Sequence, residues 1–234
     1  MVREIIVGGV AVDVVFKDIK NVHLSVYPPT GRVRVSAPEH MTIENVRLFT
    51  TSKIGWIRKH QSKMRGQVRE TPREYIERES HRVWGRRYLL RIKEAGRPEV
   101  VLGHRSLELY APKDASAEDR RVILDDWYRA ELRQRAAPLL AKWARSLGVP
   151  LEGFTIQRMK TKWGSSNPRR HTIRLNLELA KFPPEYLDYV ALHEIAHFIV
   201  PDHSEKFRTL LESNMPEWRT IRDRLNEGPL AEID

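Results

Sequence analysis

The segment His193–His197 reads His-Glu-Ile-Ala-His and constrains the chain more than any other stretch, since it specifies a helix and a metal chemistry together. Residues four apart lie on one face of an α-helix, so His193 and His197 can point their imidazoles at one cation. Glu194 lies beside them, where it can reach a water molecule on that cation without being a ligand. His203, six residues after the segment, can supply a third ligand. Three protein ligands with one open position are typical of a catalytic zinc site, whereas structural zinc sites have four protein ligands.

The residues that flank this segment support a helix that ends before His203. Pro183 and Pro184, followed by an acid and then apolar residues, are typical of a helix start. Asp202 fits the N-cap of a following helix, with Glu205 as its capping-box partner. That cap predicts His203 at the first helical position, close to the preceding turn. The flanks therefore favour a metal site over a set of unrelated packed or surface histidines.

Length and composition exclude several classes of protein. With 234 residues the chain can bury a core as one large domain or two small ones. No apolar run approaches the length of a membrane span, and the first residues lack a signal-peptide pattern. The absence of cysteine excludes disulfides and thiolate ligands, so histidine and carboxylate must hold any zinc. We expect a cytoplasmic protein without membrane attachment.

The formal net charge of +10 is concentrated in one basic segment whose only acid is Glu70. Its cations are Lys53, Arg58, Lys59, Lys63, Arg65, Arg69 and Arg73. Such a stripe can follow the phosphate backbone of DNA or RNA, or an acidic partner. It is equally typical of the solvated face of a helix in a basic protein. Nucleic acid is therefore a possible partner.

The first half of the chain has the residue alternation and turn chemistry of β-structure. Strands at 5–7 and 10–16 are predicted to form one hairpin, and strands at 22–27 and 32–36 a second. One helix is predicted from about 42 to about 64, because apolar residues recur there at helical spacing. Further short strands are predicted at 87–92, 99–102 and 106–110.

From about residue 115 the pattern becomes helical. A long helix is predicted over 117–147, and its Pro138 is expected to kink or split it. Strands at 154–157 and 172–177 enclose a polar loop at 160–170. After the helix that carries the histidines, two more helices are expected from about Ser204 and Pro216.

Several blocks of the sequence, in this order, resemble the YgjP-like metallopeptidase domain family. They are Met159–Ser166, the strand with Leu175 and Asn176, His193–His197 and Asp202–Ser204. The residues around Trp127 and the segment Met215–Trp218 are also similar to that family. It is related to the SprT-like and WLM zinc proteases, some of which act on proteins attached to DNA.

The resemblance implies a minimal zincin, in which a small antiparallel sheet lies beside the helix with the HExxH motif. Together with the predicted elements, it indicates an α+β fold: a β-rich N-terminal half with one basic helix (1–114) and a zincin-like catalytic half (115–234). It implies one Zn²⁺ per chain, bound by His193, His197 and His203, with Glu194 as the general base. The implied activity is that of a zinc-dependent metallopeptidase, a hydrolase that acts on peptides or proteins.

Other residues of the matched blocks are candidates for the rest of the site. Those expected to bind substrate or stabilise an oxyanion are Lys160, Lys162, Trp163 and Asn176. Structural packing is the alternative for each of them. If the strand at 172–177 forms the sheet edge at the cleft, an extended peptide can pair with it. Candidates to accept the outer N–H groups of the histidines are Asp188, Glu205, Glu212 and Glu217.

Three functions are compatible with these features. The first is a zinc-dependent peptidase. The second is a protease that DNA or RNA recruits to nucleic-acid-bound proteins through the basic segment. The third is a non-catalytic nucleic-acid-binding module with a structural metal. Glu194 argues against the third function, because a structural metal site has no need of a base.

Overall fold

The computed structural model describes residues 2–27, 30–66, 73–159 and 161–227. It divides the chain at residues 70–71 into an N-terminal unit and a C-terminal unit. The sequence-based division at 114–115 therefore differs from the division in the structure. The difference arises because the strands between residues 80 and 111 share a core with the helices that follow them, through residues such as Leu90, Leu107 and Leu124.

The N-terminal unit contains a four-stranded sheet with the order β1-β2-β4-β3. Its strands are β1 (Val2–Val7), β2 (Val10–Lys17), β3 (His23–Tyr27) and β4 (Arg32–Pro38). Both predicted hairpins are confirmed, since β1 pairs antiparallel with β2 and β3 with β4. The two hairpins join through parallel pairing of β2 with β4, and the inward-facing valines of these central strands are fully buried.

Two helices follow this sheet where one was predicted: α1 (Ile43–Ser52) and α2 (Ile54–Gly66). Thr42 caps α1, because its Oγ1 accepts a hydrogen bond from the backbone N–H of Asn45 (3.3 Å). Lys53 leaves the helical conformation between the two helices. Val46 from α1 and Ile57 from α2 are fully buried in the core of this unit.

The C-terminal unit begins with a second four-stranded sheet, of order β5-β6-β8-β7. Its strands are β5 (Ser80–Val83), β6 (Arg86–Glu94), β7 (Glu99–Leu102) and β8 (Ser106–Ala111). The three predicted strands are confirmed, and only the short, polar β5 was not predicted. Trp84 and Gly85 adopt positive φ angles between β5 and β6, and their N–H groups bond to Ala180 and Lys181 (2.9 and 3.1 Å). This turn therefore ties the sheet to the region that precedes the histidines.

A single long helix, α3 (Ala117–Ser146), forms the centre of the C-terminal unit. It begins with a capping box between Ser116 and Asp119. The split expected at Pro138 does not occur, and the helix is continuous through this residue. Fully buried side chains on either side, such as Leu132 and Leu140, stabilise it by packing in the core.

The third sheet has the order β10-β11-β9 and lies next to the helix with the histidines. Its strands are β9 (Gly153–Gln157), β10 (Gly164–Asn167) and β11 (Thr172–Asn176). The expectation of an antiparallel sheet is wrong in part, because β11 pairs antiparallel with β10 but parallel with β9. The strand predicted as the edge, β11, is the central strand. The edge strands are β9 and β10, and β10 lies within the segment predicted to be a loop.

A short 3-10 helix (Leu177–Lys181) and three α-helices complete the described chain. These are α4 (Pro184–Ala196), α5 (Glu205–Asn214) and α6 (Trp218–Glu227). The α+β class is thus confirmed, with six α-helices and three small mixed sheets in the described residues. Over the same residues, no helix has both the length and the apolar character needed to cross a membrane.

Candidate active site

The helix α4 positions His193, Glu194 and His197. It starts with Pro184 at its first position, and most of its residues from Leu187 onward are buried, among them Leu187 and Leu192. That packing holds the helix in place. His197 is its C-cap, and the following turn closes through a bond from the N–H of Val200 to the carbonyl of Ala196 (3.0 Å).

The three histidines turn the same kind of nitrogen toward one point. The Nε2 atom of His193 lies 3.2 Å from Nε2 of His197 and 3.1 Å from Nε2 of His203. Nitrogens bonded at about 2.0 to 2.1 Å to a tetrahedral Zn²⁺ would be about 3.3 Å apart. Both distances are close to this value, and the ligand atoms of all three histidines lie within 4.8 Å of one another, so the structure brings together the three ligands predicted from the sequence.

The outer nitrogens of two histidines have partners that were not predicted. Nδ1 of His193 lies 3.3 Å from the hydroxyl of Tyr189, and Nδ1 of His197 lies 3.1 Å from the carbonyl of Val200. Such contacts set the tautomer and the orientation of the ring, leaving Nε2 free to bind a metal. Helical spacing could have suggested Tyr189, which is one turn before His193. The carbonyl of Val200 has no sequence signature.

The acids expected to orient the histidines serve other purposes. Asp188 accepts a hydrogen bond from Nε1 of Trp143 (2.6 Å), and Glu212 accepts one from Nε1 of Trp218 (2.9 Å). Among the described residues no hydrogen bond joins Glu205 or Glu217 to a histidine. The expectation for these four acids was therefore wrong.

The position of His203 also differs from the prediction. Ser204 is the N-cap of α5, so Asp202 is not that cap, and His203 precedes the helix instead of starting it. Asp202 stabilises the turn by accepting a hydrogen bond from the N–H of Ser204 (3.2 Å). The buried ring of Phe207 then packs against all three imidazoles, with centroid distances of 4.6 to 5.0 Å. The apolar ring of Phe207 is thus a packing surface for the three imidazoles.

Burial favours the neutral form of His193 and of His197. It is the largest cause that lowers the pKa of His193 to about 3, and the neighbouring imidazoles lower it further. Burial also lowers the pKa of His197. Because neutral imidazole carries the lone pair that a metal requires, these environments prepare both side chains for a cation.

Glu194 is the one buried carboxyl at this site, with an exposed fraction of 6%. Burial raises its pKa to about 7, against the opposing effects of a hydrogen bond from Ser166 and the charge of Lys162. A cation at the three nitrogens would also favour the ionised form. Without a metal the carboxyl therefore titrates near neutral pH, and a bound cation would lower its pKa from that value.

The edge strand β10 passes very close to this carboxyl. A Cβ atom placed on Gly164 would lie 2.6 Å from Oε1, 2.7 Å from Cγ and 2.9 Å from Cδ of Glu194. Real contacts of a Cβ atom are longer, so a side chain at this position would displace the carboxyl. Gly164 is therefore required by the position of Glu194, a role that sequence reasoning missed.

A cleft of about 750 Å³ opens over the histidines and Glu194. The β10 segment forms part of its wall, together with α4, α5 and α6. Of the residues predicted to contact substrate, Lys162 and Trp163 line this cleft. Lys160 lies outside the described residues.

Asn176 has a structural role in place of the expected contact with substrate. Its exposed fraction is 3%, and its Nδ2 donates to the carbonyls of Met159 and Lys162 (both 2.8 Å). Its Oδ1 accepts from the N–H groups of Met159 and Glu178 (both 3.2 Å). These four bonds occupy the amide, so Asn176 anchors the segment that leads into β10.

A partly buried ionic network supports the same segment. Arg158 donates to Asp125 from α3 (2.8 and 2.9 Å) and to Glu178 (2.8 Å). Lys181 forms a second ion pair with Glu178 (2.8 Å). The network connects α3, the end of β9 and the 3-10 helix beneath the cleft. Sequence reasoning missed it, because its members are distant along the chain.

The described cations of the predicted basic stripe are divided between the two units. Lys53, Arg58 and Lys59 lie in the N-terminal unit, where Arg58 bonds to the carbonyl of Gly8 (2.8 Å). Arg73 belongs to the C-terminal unit and bonds to the carbonyl of Ser80. Arg69 and the side chains of Lys63 and Arg65 lie outside the described part of the chain. The interaction of these residues with nucleic acid stays a prediction.

A family model matches most of the chain, and two solved structures are similar to part of it. The model of a family described as YgjP-like, metallopeptidase domain, matches residues 20–228. A crystal structure of the metallopeptidase zymogen abylysin from Pyrococcus abyssi is 23% identical, with a TM-score of 0.37, over 41% of this chain and 99% of that chain. A crystal structure of the metallopeptidase zymogen jannalysin from Methanocaldococcus jannaschii is 27% identical, with a TM-score of 0.35, over 38% of this chain and 92% of that chain. No curated protein gives a significant match.

Replacement of Tyr189 by Phe should weaken metal binding. The variant loses the hydroxyl partner of His193 Nδ1 but keeps a ring that can stack on Trp218. We expect the affinity for Zn²⁺, measured by competition with a chelator, to fall about tenfold. Tyr27→Phe, an exposed position in the N-terminal unit, is the control and should bind like the wild type. Equal affinity in Tyr189→Phe would refute the orienting role.

Replacement of Gly164 by Ala should destabilise the metal-free protein by about 1 to 3 kcal/mol, because the new methyl group overpacks the site. Thermal unfolding measures the loss. Gly153→Ala in β9 is the matched control, since a Cβ there meets no atom within 4 Å. In a Glu194→Ala background the cost of Gly164→Ala should largely disappear. An equal cost in both backgrounds would show that Glu194 is not the clashing group.

Proposed function

The chain belongs to the YgjP-like metallopeptidase domain family and is a metal-dependent peptidase, and we propose that its metal is zinc. We also propose that Glu194 is its general base. His193, His197 and His203 would hold one Zn²⁺ per chain. The observation that supports the proposal most strongly is the convergence of three histidines beside one buried carboxyl in a cleft, with Nε2 of His193 3.2 Å from that of His197 and 3.1 Å from that of His203.

The donor set favours zinc over other divalent cations. Three neutral imidazoles suit Zn²⁺, whereas Mg²⁺ and Ca²⁺ prefer oxygen ligands. The chain has no cysteine, so a closed site built on thiolates is excluded. Among the described residues, the histidines are the one group found with metal-ligand spacing. Three ligands leave a coordination position open, as in catalytic zinc sites.

Glu194 supplies the acid–base chemistry of peptide hydrolysis. A divalent cation held by the histidines supplies Lewis acidity, which polarises a carbonyl and makes water more acidic. A carboxylate oxygen of Glu194 takes the proton from the attacking water and then gives it to the departing amine. The burial that raises the pKa of Glu194 to about 7 suits a group that must both accept and donate.

The free edge of β10 offers a way to hold the substrate. Within the third sheet β10 pairs only with β11, and its residues Gly164, Ser165 and Ser166 line the cleft. An extended peptide can add to such an edge through backbone hydrogen bonds, which align a scissile bond without requiring a particular side chain. Lys162 and Trp163, just before this strand, are proposed to contact the bound peptide.

Replacement of Glu194 by Gln tests the general-base role. The amide cannot accept the proton, so we expect turnover of a peptide library to fall by about 10²- to 10⁴-fold. Zinc content, measured by mass spectrometry of the purified protein, should stay near one per chain.

Two further variants serve as controls. His193→Ala should lose both zinc and turnover, because it removes a ligand. Glu205→Gln changes an exposed acid in α5 and should keep both. If Glu194→Gln bound zinc and cleaved peptides at the wild-type rate, the proposed mechanism would be wrong.

A further inference from the structure

The charged groups that line the cleft are mostly of one sign. Three cationic side chains, Lys162, Arg208 and Arg222, face one carboxyl, Glu194. They come from different elements: Lys162 precedes β10, Arg208 lies on α5 and Arg222 lies on α6. A cleft with low-dielectric walls and one sign of charge concentrates its field on whatever enters.

Two of these cations form no ion pair within the described part of the chain. Arg222 forms an ion pair with Asp223 (2.8 Å) and lies over the ring of Trp218. Lys162 and Arg208 are exposed, and neither forms an ion pair with any residue in the described part of the chain. Unpaired cations of this kind can pair with an anionic group of a ligand at no cost in broken contacts.

Both side chains are close to where the reaction would occur. The charge of Lys162 acts on the carboxyl of Glu194. Arg208 directly follows Phe207, the ring on which the three imidazoles pack. The two cations therefore line the same cleft from separate elements, the segment before β10 and the helix α5.

Resting on the proposed peptidase function, we propose that the cleft selects peptides with an acidic side chain close to the scissile bond. Lys162 and Arg208 are the specificity-determining residues, because each offers an unpaired cation to an Asp or Glu of the substrate. A Lys or Arg at the same position of the substrate would meet like charge and be rejected. A cleft of about 750 Å³ is of the size that encloses a small ligand or a few residues of a chain.

A matched set of peptides tests this selection. Each peptide carries Glu, Gln or Lys at one position within three residues of a cleaved bond identified from the library. For the wild type we expect kcat/KM for Glu to exceed that for Gln by about fivefold at one position or more, the effect of a single exposed ion pair. The ratio should decrease as the ionic strength rises.

Variants that remove one cation each test which residue causes the preference for Glu over Gln in the peptide. Arg208→Gln or Lys162→Gln should bring the Glu-to-Gln ratio close to one at the position that each residue reads. Lys206→Gln is the matched control, since it removes an exposed cation from α5 that does not line the cleft. The Kd values of the Glu and Gln peptides, measured by fluorescence polarisation with zinc-loaded Glu194→Gln protein, give the same comparison without turnover.

The outcomes separate the two levels of the proposal. If no peptide is cleaved by the zinc-loaded protein, the peptidase mechanism fails. If peptides are cleaved with equal kcat/KM for Glu and Gln, only the selection for acidic residues is overturned. A third outcome has three parts: a short oligonucleotide inhibits cleavage, Arg208→Gln abolishes that inhibition, and the Glu and Gln peptides are cleaved equally well. In that case the cations bind nucleic acid, and the proposal is also overturned.

Discussion

The convergence of three imidazole nitrogens is the constraint on which the site depends. Two of the rings come from α4 at helical spacing, and the third comes from the turn before α5. All three rings pack on Phe207, burial favours the neutral form of His193 and His197, and a cation would join the three nitrogens. The chain must therefore leave α4 and return within six residues, which it does through a turn stabilised by Asp202.

The wall of the cleft that β10 forms is also fixed by specific contacts. Gly164 allows β10 to pass within contact distance of Glu194, and Asn176 anchors the segment that leads into this strand. Arg158 connects the same region to α3 through partly buried ion pairs. Buried polar groups with all bonds satisfied specify one arrangement, whereas a single unpaired member would cost stability. These contacts support a short polar strand that has little hydrophobic burial of its own.

The sequence predicted the parts of the site that depend on local spacing. His193 and His197 follow from helical periodicity, and the hairpins of the first sheet follow from alternation and turn residues. It did not predict β10, because four small polar residues carry no alternating pattern and pair only through the tertiary fold. Nor did it identify Tyr189 and the carbonyl of Val200 as partners of the histidines, since the acids that looked suitable bond to Trp143 and Trp218 instead. Interactions across long sequence separations, such as the one between Arg158 and Asp125, leave no local signal.

Anomalous diffraction at the zinc absorption edge, from crystals of the full chain grown with Zn²⁺, tests the central claim most directly. We predict one peak per chain, bonded at about 2.0 to 2.1 Å to Nε2 of His193, His197 and His203. The carboxylate of Glu194 should lie outside bonding distance of the metal. A peak bonded through Nδ1, a peak with Glu194 as a ligand, or no peak at the three histidines would contradict the proposed centre.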